Sequence, residues 1–197
     1  MIIFDVGANN GSSSFGFINE HNTVYAFEPT PFLLERYLYP RRGLGYIVIP
    51  KAVSDFNGKS QFKIAGQSDW GCSSLNNFSE DLNSTWPGRM DFKVTETIDV
   101  DVIRMDTFIE ENNIQTVDFL HCDTQGSDLK VLKSFGEKIS ILKSGEVEAF
   151  AKNPLYKEND NSIDNVTEFL AQHGFKIDNI SSNDSHGNEF NVRFSRI

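Results

Sequence analysis

The sequence predicts a doubly wound α/β fold, with a mostly parallel seven-stranded sheet, an antiparallel closing strand and an inserted polar segment of loops and short strands. Three observations carry this expectation. Short β-branched apolar runs alternate with helical patterns, the first run breaks at a glycine bend, and the chain finishes in two paired alternating runs.

Met1-Ile-Ile-Phe-Asp-Val6 reads as a buried parallel strand that meets the bend at Gly7. Ser12 to Ile18 predicts a short helix, and Thr23 to Phe27 a second strand closed by Glu28-Pro29. Pro29 and Pro31 open a helix over Phe32 to Leu38, because proline suits a first helical turn, and Tyr46 to Ile49 predicts the third strand. Alternation at Gln61–Ile64 and Thr97–Ile103 flanks the polar stretch Ser68 to Pro87. A loop of that length in a compact domain usually serves a site or moves.

Asp106 is expected to cap a helix reaching about Asn113, with Glu110 and Glu111 on its wet face. Thr116 to Cys122 predicts the next buried strand, followed by a helix that stacks Val131, Leu132 and Phe135 and stops at Gly136. Lys138 to Val147 predicts a further strand. Ser162 caps a helix with Ile163, Val166, Phe169 and Leu170 inward, and Phe175–Ile180 with Glu189–Phe194 makes the closing pair. With no repeat and no low-complexity linker, residues 1–197 read as a single domain.

The formal net charge is −10, which weighs against a nucleic-acid groove or an anionic membrane surface, since both require clustered Lys and Arg. Arg36, Arg41 and Arg42 are the densest basic group, either a solvated helix end or a seat for an anion. No apolar run approaches the ~20 residues of a membrane span, and no signal peptide opens the chain, so a cytoplasmic location is expected. Cys72 and Cys122 indicate neither a disulfide framework nor a zinc cluster. Seventeen Phe against five Tyr and two Trp point to a core filled by rings without hydroxyls to satisfy.

In doubly wound sheets ligands bind beyond the carboxyl ends of the strands, where strand order reverses. Residues at those ends are therefore the candidates. After the first strand, Asp5-Val-Gly-Ala-Asn-Asn-Gly11 is either a plain strand-to-helix turn or a ligand loop, because glycine lets backbone approach a ligand closely. Glu28 stands where an acid would accept both hydroxyls of a ribose. Gly7 and Gly11 do not form G-x-G-x-x-G, and Asp5, Asn9 and Asn10 suit an ammonium or sulfonium better than phosphates. That favours S-adenosylmethionine over a nicotinamide dinucleotide. Ser54 and Asp55 make either an Asx turn or an adenine contact.

At the fourth long strand end, Asp123 and Asp128 are either helix caps or site acids, and His121 is either a core residue or a base. Glu148 follows the fifth. The spacing of these acids demands no metal, and none is expected. Trp70 and Trp86 lie in the polar segment Gly66 to Pro87, which either folds over an acceptor as a lid or packs as structure.

Asp5-x-Gly-Ala-Asn-x-Gly11, Ala26-Phe-Glu-Pro29, Ala52-Val-Ser-Asp-x-x-Gly58, Arg104-Met-Asp106 and Val117-Asp-Phe-Leu-His-Cys-Asp-Thr-Gln-Gly126, in that order, resemble the FkbM family of methyltransferases. The resemblance spans residues 1 to about 150. It implies a class I, Rossmann-like methyltransferase using S-adenosyl-L-methionine, with Asp5, Gly7, Asn9 and Gly11 at the cofactor's amino acid end. Glu28 is then implied at the ribose and Asp55 by the adenine, while Ser54 and Asp123 are further candidate cofactor contacts at the strand ends.

The resemblance further implies O-methylation of a hydroxyl on a sugar, glycan or small metabolite; a base near the methyl would help, and Asp123, Glu148, His121 and Asp128 at the strand ends are the candidate catalytic groups. A Lys-x-Asp-x-Glu-Gly-x-Glu run common in the family is here His121-Cys-Asp-Thr-Gln-Gly-Ser-Asp128, so Gln125 replaces one acid. A non-catalytic cofactor-binding domain and a nicotinamide oxidoreductase are the alternatives. No nucleic-acid or membrane partner is expected.

Overall fold

The computed structural model describes residues 1–66, 70–80, 82–89, 92–157 and 160–197. Among the described residues ten strands run β1 (Ile2–Val6), β2 (Thr23–Phe27), β3 (Tyr46–Ile49), β4 (Ala52–Val53), β5 (Gly58–Ala65), β6 (Val94–Ile103), β7 (Phe119–Cys122), β8 (Ser144–Phe150), β9 (Phe175–Ser182) and β10 (Glu189–Arg196). Helices are α1 (Pro31–Leu33, continuing as a wide turn over Leu34–Leu38), α2 (Leu82–Thr85), α3 (Met105–Glu111), α4 (Asp128–Ser134) and α5 (Ile163–Gln172).

The main sheet has seven strands in the order β3-β2-β1-β7-β8-β10-β9. Pairings among β3, β2, β1, β7 and β8 are parallel, whereas β10 lies antiparallel to both β8 and β9. This is the predicted sheet with its antiparallel closing strand. Successive connections run outward from β1 on one side and from β7 on the other, so the order reverses between these two neighbours. The predicted insertion is a second, three-stranded sheet, β4-β6-β5.

Sheet faces dictate the core. Phe4, Phe27, Phe108 and Phe135 meet in edge-on and stacked pairs with centroids 4.8–6.4 Å apart, the arrangement that ring quadrupoles favour. The hydroxyl-poor aromatic composition thus fills the interior beneath β1. Ile3, Val24, Leu38 and Tyr46 form a second cluster on the other face. Among the described residues no helix is long and apolar enough to cross a membrane.

Four local expectations are corrected. The short helix expected over Ser12–Ile18 is confined to one 3-10 turn at Phe15–Phe17, after a loop in which Asn9 at φ +50° and Gly11 at φ +81° hold the chain out of the right-handed helical region. Asp106 does not cap α3; Arg104 occupies that position, and Asp106 accepts from the Arg104 guanidinium and from Thr107 N–H. Asp128 is not a cap either, because Ser127 precedes it at the helix start. The strand expected from Lys138 begins only at Ser144, because Gly136–Ile141 coils tightly after the left-handed Gly136.

Candidate functional site

The bend after β1 is held by backbone. Gly7 and Ala8 N–H both donate to the Phe27 carbonyl, at 3.0 and 2.9 Å. A Cβ on Gly7 would lie 1.9 Å from the Asp123 carbonyl oxygen, so the loops ending β1 and β7 touch through the space that glycine leaves. Gly11 is required differently: its Cβ would meet the Phe15 ring at 2.2 Å. It shapes the loop from behind and does not line the cavity in front.

That cavity encloses about 550 Å³ of space, part of it open to solvent, between the strand ends of both sheets. Gly7, Asn9 and Glu28 form its floor, Phe27, Pro29, Val53 and Phe62 supply apolar walls, and Asp123, Thr124 and Gln125 close one end. Glu28 is 4% exposed and accepts from Asn9 N–H at 2.9 Å and Thr30 N–H at 2.8 Å, which ties two loops to one carboxylate. Burial pushes its pKa up despite these donors. A buried carboxylate facing a cleft, with one amide on each oxygen, retains lone pairs suited to a vicinal diol.

Asp5 is fully buried, and its Oδ1 accepts from His121 Nδ1 at 2.9 Å. Its Oδ2 is buried with no partner among the described residues, an unmet acceptor beside the glycine bend. Burial draws the His121 pKa down, but the hydrogen bond and charge of Asp5 outweigh it and hold the imidazole above its ordinary value. This pair joins neighbouring strands in register and lies outside the cavity lining. Ser54 and Asp55 also lie outside it; Ser54 donates to Asp55 Oδ1 at 3.3 Å, while Lys51, Ala52 and Val53 line the cavity instead.

A second cavity shares Gly71, Asp123 and Gln125 with the first, and is further lined by Trp86, Arg89, Phe92, Glu148, Asn183 and Glu189. At the junction Gln125 adopts the left-handed backbone, φ +55°. Its side-chain amide donates to Asp123 Oδ1 at 2.7 Å and Glu148 Oε2 at 3.2 Å, and its oxygen accepts from Tyr156 O–H at 2.9 Å. The residue in the family's acidic position is thus a neutral strut between two carboxyls. Asn183 donates to the other oxygen of Glu148.

These acids crowd one another. Burial, reinforced by Asp123, drives Asp128 up to about 7 and Glu148 well above the ordinary carboxylate range; burial also raises Asp123 itself. Asp128 is fully buried, accepting from Thr124 O–H and Glu148 N–H, and lines neither of the two cavities. Its carboxyl supports the junction from within. Burial, then Asp123, likewise brings Glu189 to about 7.

Trp86 is 3% exposed, packs with Leu155 and Tyr156, and donates its indole N–H to the Asn153 carbonyl at 3.3 Å. The Trp70 side chain, named with it in the expected lid, lies outside the described residues. Arg41 stacks 3.8 Å over the Phe15 ring and Arg42 3.6 Å over Tyr39, so this basic group is packed on its own loop.

Sequence reasoning missed Glu189, Asn183, Arg89 and Tyr156 as lining or supporting residues. A signal existed for the first: an antiparallel strand presents its first residue at the edge where parallel strands present their last, and Glu189 pairs with Phe150 at the end of β8.

A family model described as the methyltransferase FkbM domain matches residues 5–177. No curated protein matches the chain in sequence. In fold the chain is similar to magnesium protoporphyrin IX methyltransferase from Synechocystis with bound S-adenosylmethionine, at TM-score 0.53 and 10% identity, covering 99% of this chain and 69% of that one. It is also similar to the Methanococcus jannaschii fibrillarin pre-rRNA processing protein (TM-score 0.52, 15% identity, 99% and 66% covered). A third similar fold is a Streptococcus mutans protein in complex with S-adenosylhomocysteine (TM-score 0.50, 14% identity, 100% and 88% covered).

Proposed function

The chain belongs to the FkbM family of S-adenosylmethionine-dependent methyltransferases, and from that premise we propose that it methylates a hydroxyl of a sugar, glycan or small polar metabolite. The observation that carries this reading is the pair of adjoining cavities that share Asp123 and Gln125. One has the diol-accepting carboxylate and apolar walls that fit an adenosyl group. The other combines aromatic Trp86 and Phe92 with Asn183, Arg89 and carboxyls, the mixture that holds a polyhydroxylated ring.

Glu28 and Asn9 would hold the ribose, Phe27, Val53 and Phe62 would flank the adenine, and Asp123 would face the cationic end. When bound, the cofactor supplies an electrophilic methyl group on a sulfonium. Asp123 and Gln125, common to both cavities, set where acceptor and donor meet, and positioning of this kind contributes much of the rate in displacement reactions. Glu148, anchored by Gln125 and Asn183, keeps that wall rigid. The first cavity takes walls from both sheets, which supports treating residues 1–197 as one domain.

Two of the similar folds carry names that refer to porphyrin and rRNA processing. A net charge of −10 argues against an RNA acceptor here. Transfer of tritiated methyl groups from S-adenosylmethionine to a panel of methyl glycosides and small alcohols tests the proposal, with transfer RNA and a porphyrin in parallel. Label in a glycoside or alcohol is expected; label confined to RNA or porphyrin would overturn it.

A further inference from the structure

We infer that Glu189 takes the proton from the acceptor hydroxyl during methyl transfer. The inference rests on the O-methylation proposed above and identifies a residue that the family motifs do not contain. The acceptor oxygen forms a bond to the methyl carbon as the carbon–sulfur bond breaks, its electron pair leaves with sulfur, and the hydroxyl proton passes to the Glu189 carboxylate and then to water.

Accessibility and prior engagement single out this carboxylate. Asp128 is fully buried and lines neither main cavity. Glu148 is 4% exposed, with both oxygens already accepting from the amides of Gln125 and Asn183. Asp184 accepts from three backbone N–H groups, those of His186, Asn188 and Glu189. His121 is paired to Asp5 and lines neither cavity. Asp123 lines both cavities, but its Oδ1 already accepts from the Gln125 amide at 2.7 Å.

Glu189 alone among these lines the second cavity with a carboxylate that has no hydrogen-bond partner among the described residues. It is held in place through its backbone, by its N–H to Asp184 at 2.7 Å and by the register of β10 on β8. The groups that bear on it are Asp123, Asp184 and Asp128, which disfavour its charge, Glu148 and Tyr156 nearby, and Arg89, which favours it. The balance brings it close to neutrality in pH, where a base combines adequate strength with a useful ionised fraction.

Glu189→Gln keeps the shape and removes the base. With the glycoside that the wild type methylates best, turnover is expected to fall by about 10²–10⁴-fold, and the rise of rate with pH through about 7 to disappear. S-adenosylhomocysteine affinity by calorimetry is expected to stay within about twofold. Glu189→Asp is expected to restore part of the rate. Wild-type turnover and an unchanged pH profile in Glu189→Gln would overturn the inference.

A second arm needs no acceptor. Carboxyl-labelled glutamate observed by NMR, with the Glu189 resonance assigned by its loss in Glu189→Gln, is expected to titrate near 7 with S-adenosylhomocysteine bound. Titration at the ordinary glutamate value would overturn the inference. A wild type inactive on every glycoside and alcohol refutes the acceptor class proposed above and the inference with it, whereas methyl transfer to a glycoside that survives unchanged in Glu189→Gln refutes the inference alone.

Discussion

Replacing Glu28 by Gln tests the proposed cofactor cleft at a buried carboxylate. The carboxylate takes one backbone N–H on each oxygen, 2.9 Å from Asn9 and 2.8 Å from Thr30. An amide satisfies only one of these donors and turns its NH₂ toward the other. Folding then loses one charge-assisted bond and gains a donor–donor contact, together about 1.5–3 kcal/mol. The same change removes one of two charged acceptors available to a ribose diol, worth at least ~1.4 kcal/mol, so S-adenosylhomocysteine should bind at least about tenfold more weakly.

The pH dependence separates the binding role from the fold role. Burial raises the Glu28 pKa above its ordinary 4.5, so its proton stabilises the folded state below that value and the stabilisation fades as pH rises through the folded-state pKa. Binding has the opposite sign: hydroxyl donors favour the ionised form, so affinity should grow with pH through the same window and be flatter in Glu28→Gln. Calorimetry on both proteins, with circular dichroism to establish folding, measures this. Equal affinities within about twofold, or identical pH slopes, would refute Glu28 as the ribose acceptor.

Gly7→Ala places a methyl 1.9 Å from the Asp123 carbonyl at φ +81°, and we expect a loss of about 3 kcal/mol, seen as a melting temperature lower by about 6–12 °C. Asp128 and Glu189 at about 7, with Glu148, Asp123 and His121 also raised, all bind protons more tightly folded than unfolded. Their stabilisation is present at low pH and lost as pH climbs through the folded-state values, so the urea midpoint should be lower at about pH 8 than at about pH 6. Gln125→Glu exchanges two donated hydrogen bonds for repulsion against Asp123 and Glu148; its urea midpoint should lie below wild type by a margin that widens with pH.

What the sequence revealed follows from how local each cause is. The β1 strand, the bend at Gly7 and the N-cap of α5, where Ser162 accepts from Asn165 N–H, are set by residues a few positions apart, and all stand where periodicity put them. The apolar stretch Ile139–Leu142 has strand composition yet coils, and Arg196 donates to the carbonyls of both Ile139 and Leu142 from the far end of the chain. No local pattern encodes that. The same division holds at the site: Gly7, Asn9, Glu28 and Asp123 were legible because parallel strands deliver their last residues to one edge. Glu189 and Asn183 reach that edge on and beside a strand running the other way, and Tyr156 reaches it from a loop held by Cys72.

Beyond the Gly71, Asp123 and Gln125 they share, the two chambers are walled by different stretches of chain. The first chamber, the proposed adenosyl cleft, is lined mainly from strand ends whose backbones interlock at Gly7 and Asp123, whereas Trp86, Arg89, Phe92 and Leu155 of the second come from peripheral loops. Transplanting those loops between relatives is therefore expected to change which acceptor is methylated while leaving affinity for S-adenosylhomocysteine intact, making this scaffold a natural starting point for building selective alkylation catalysts.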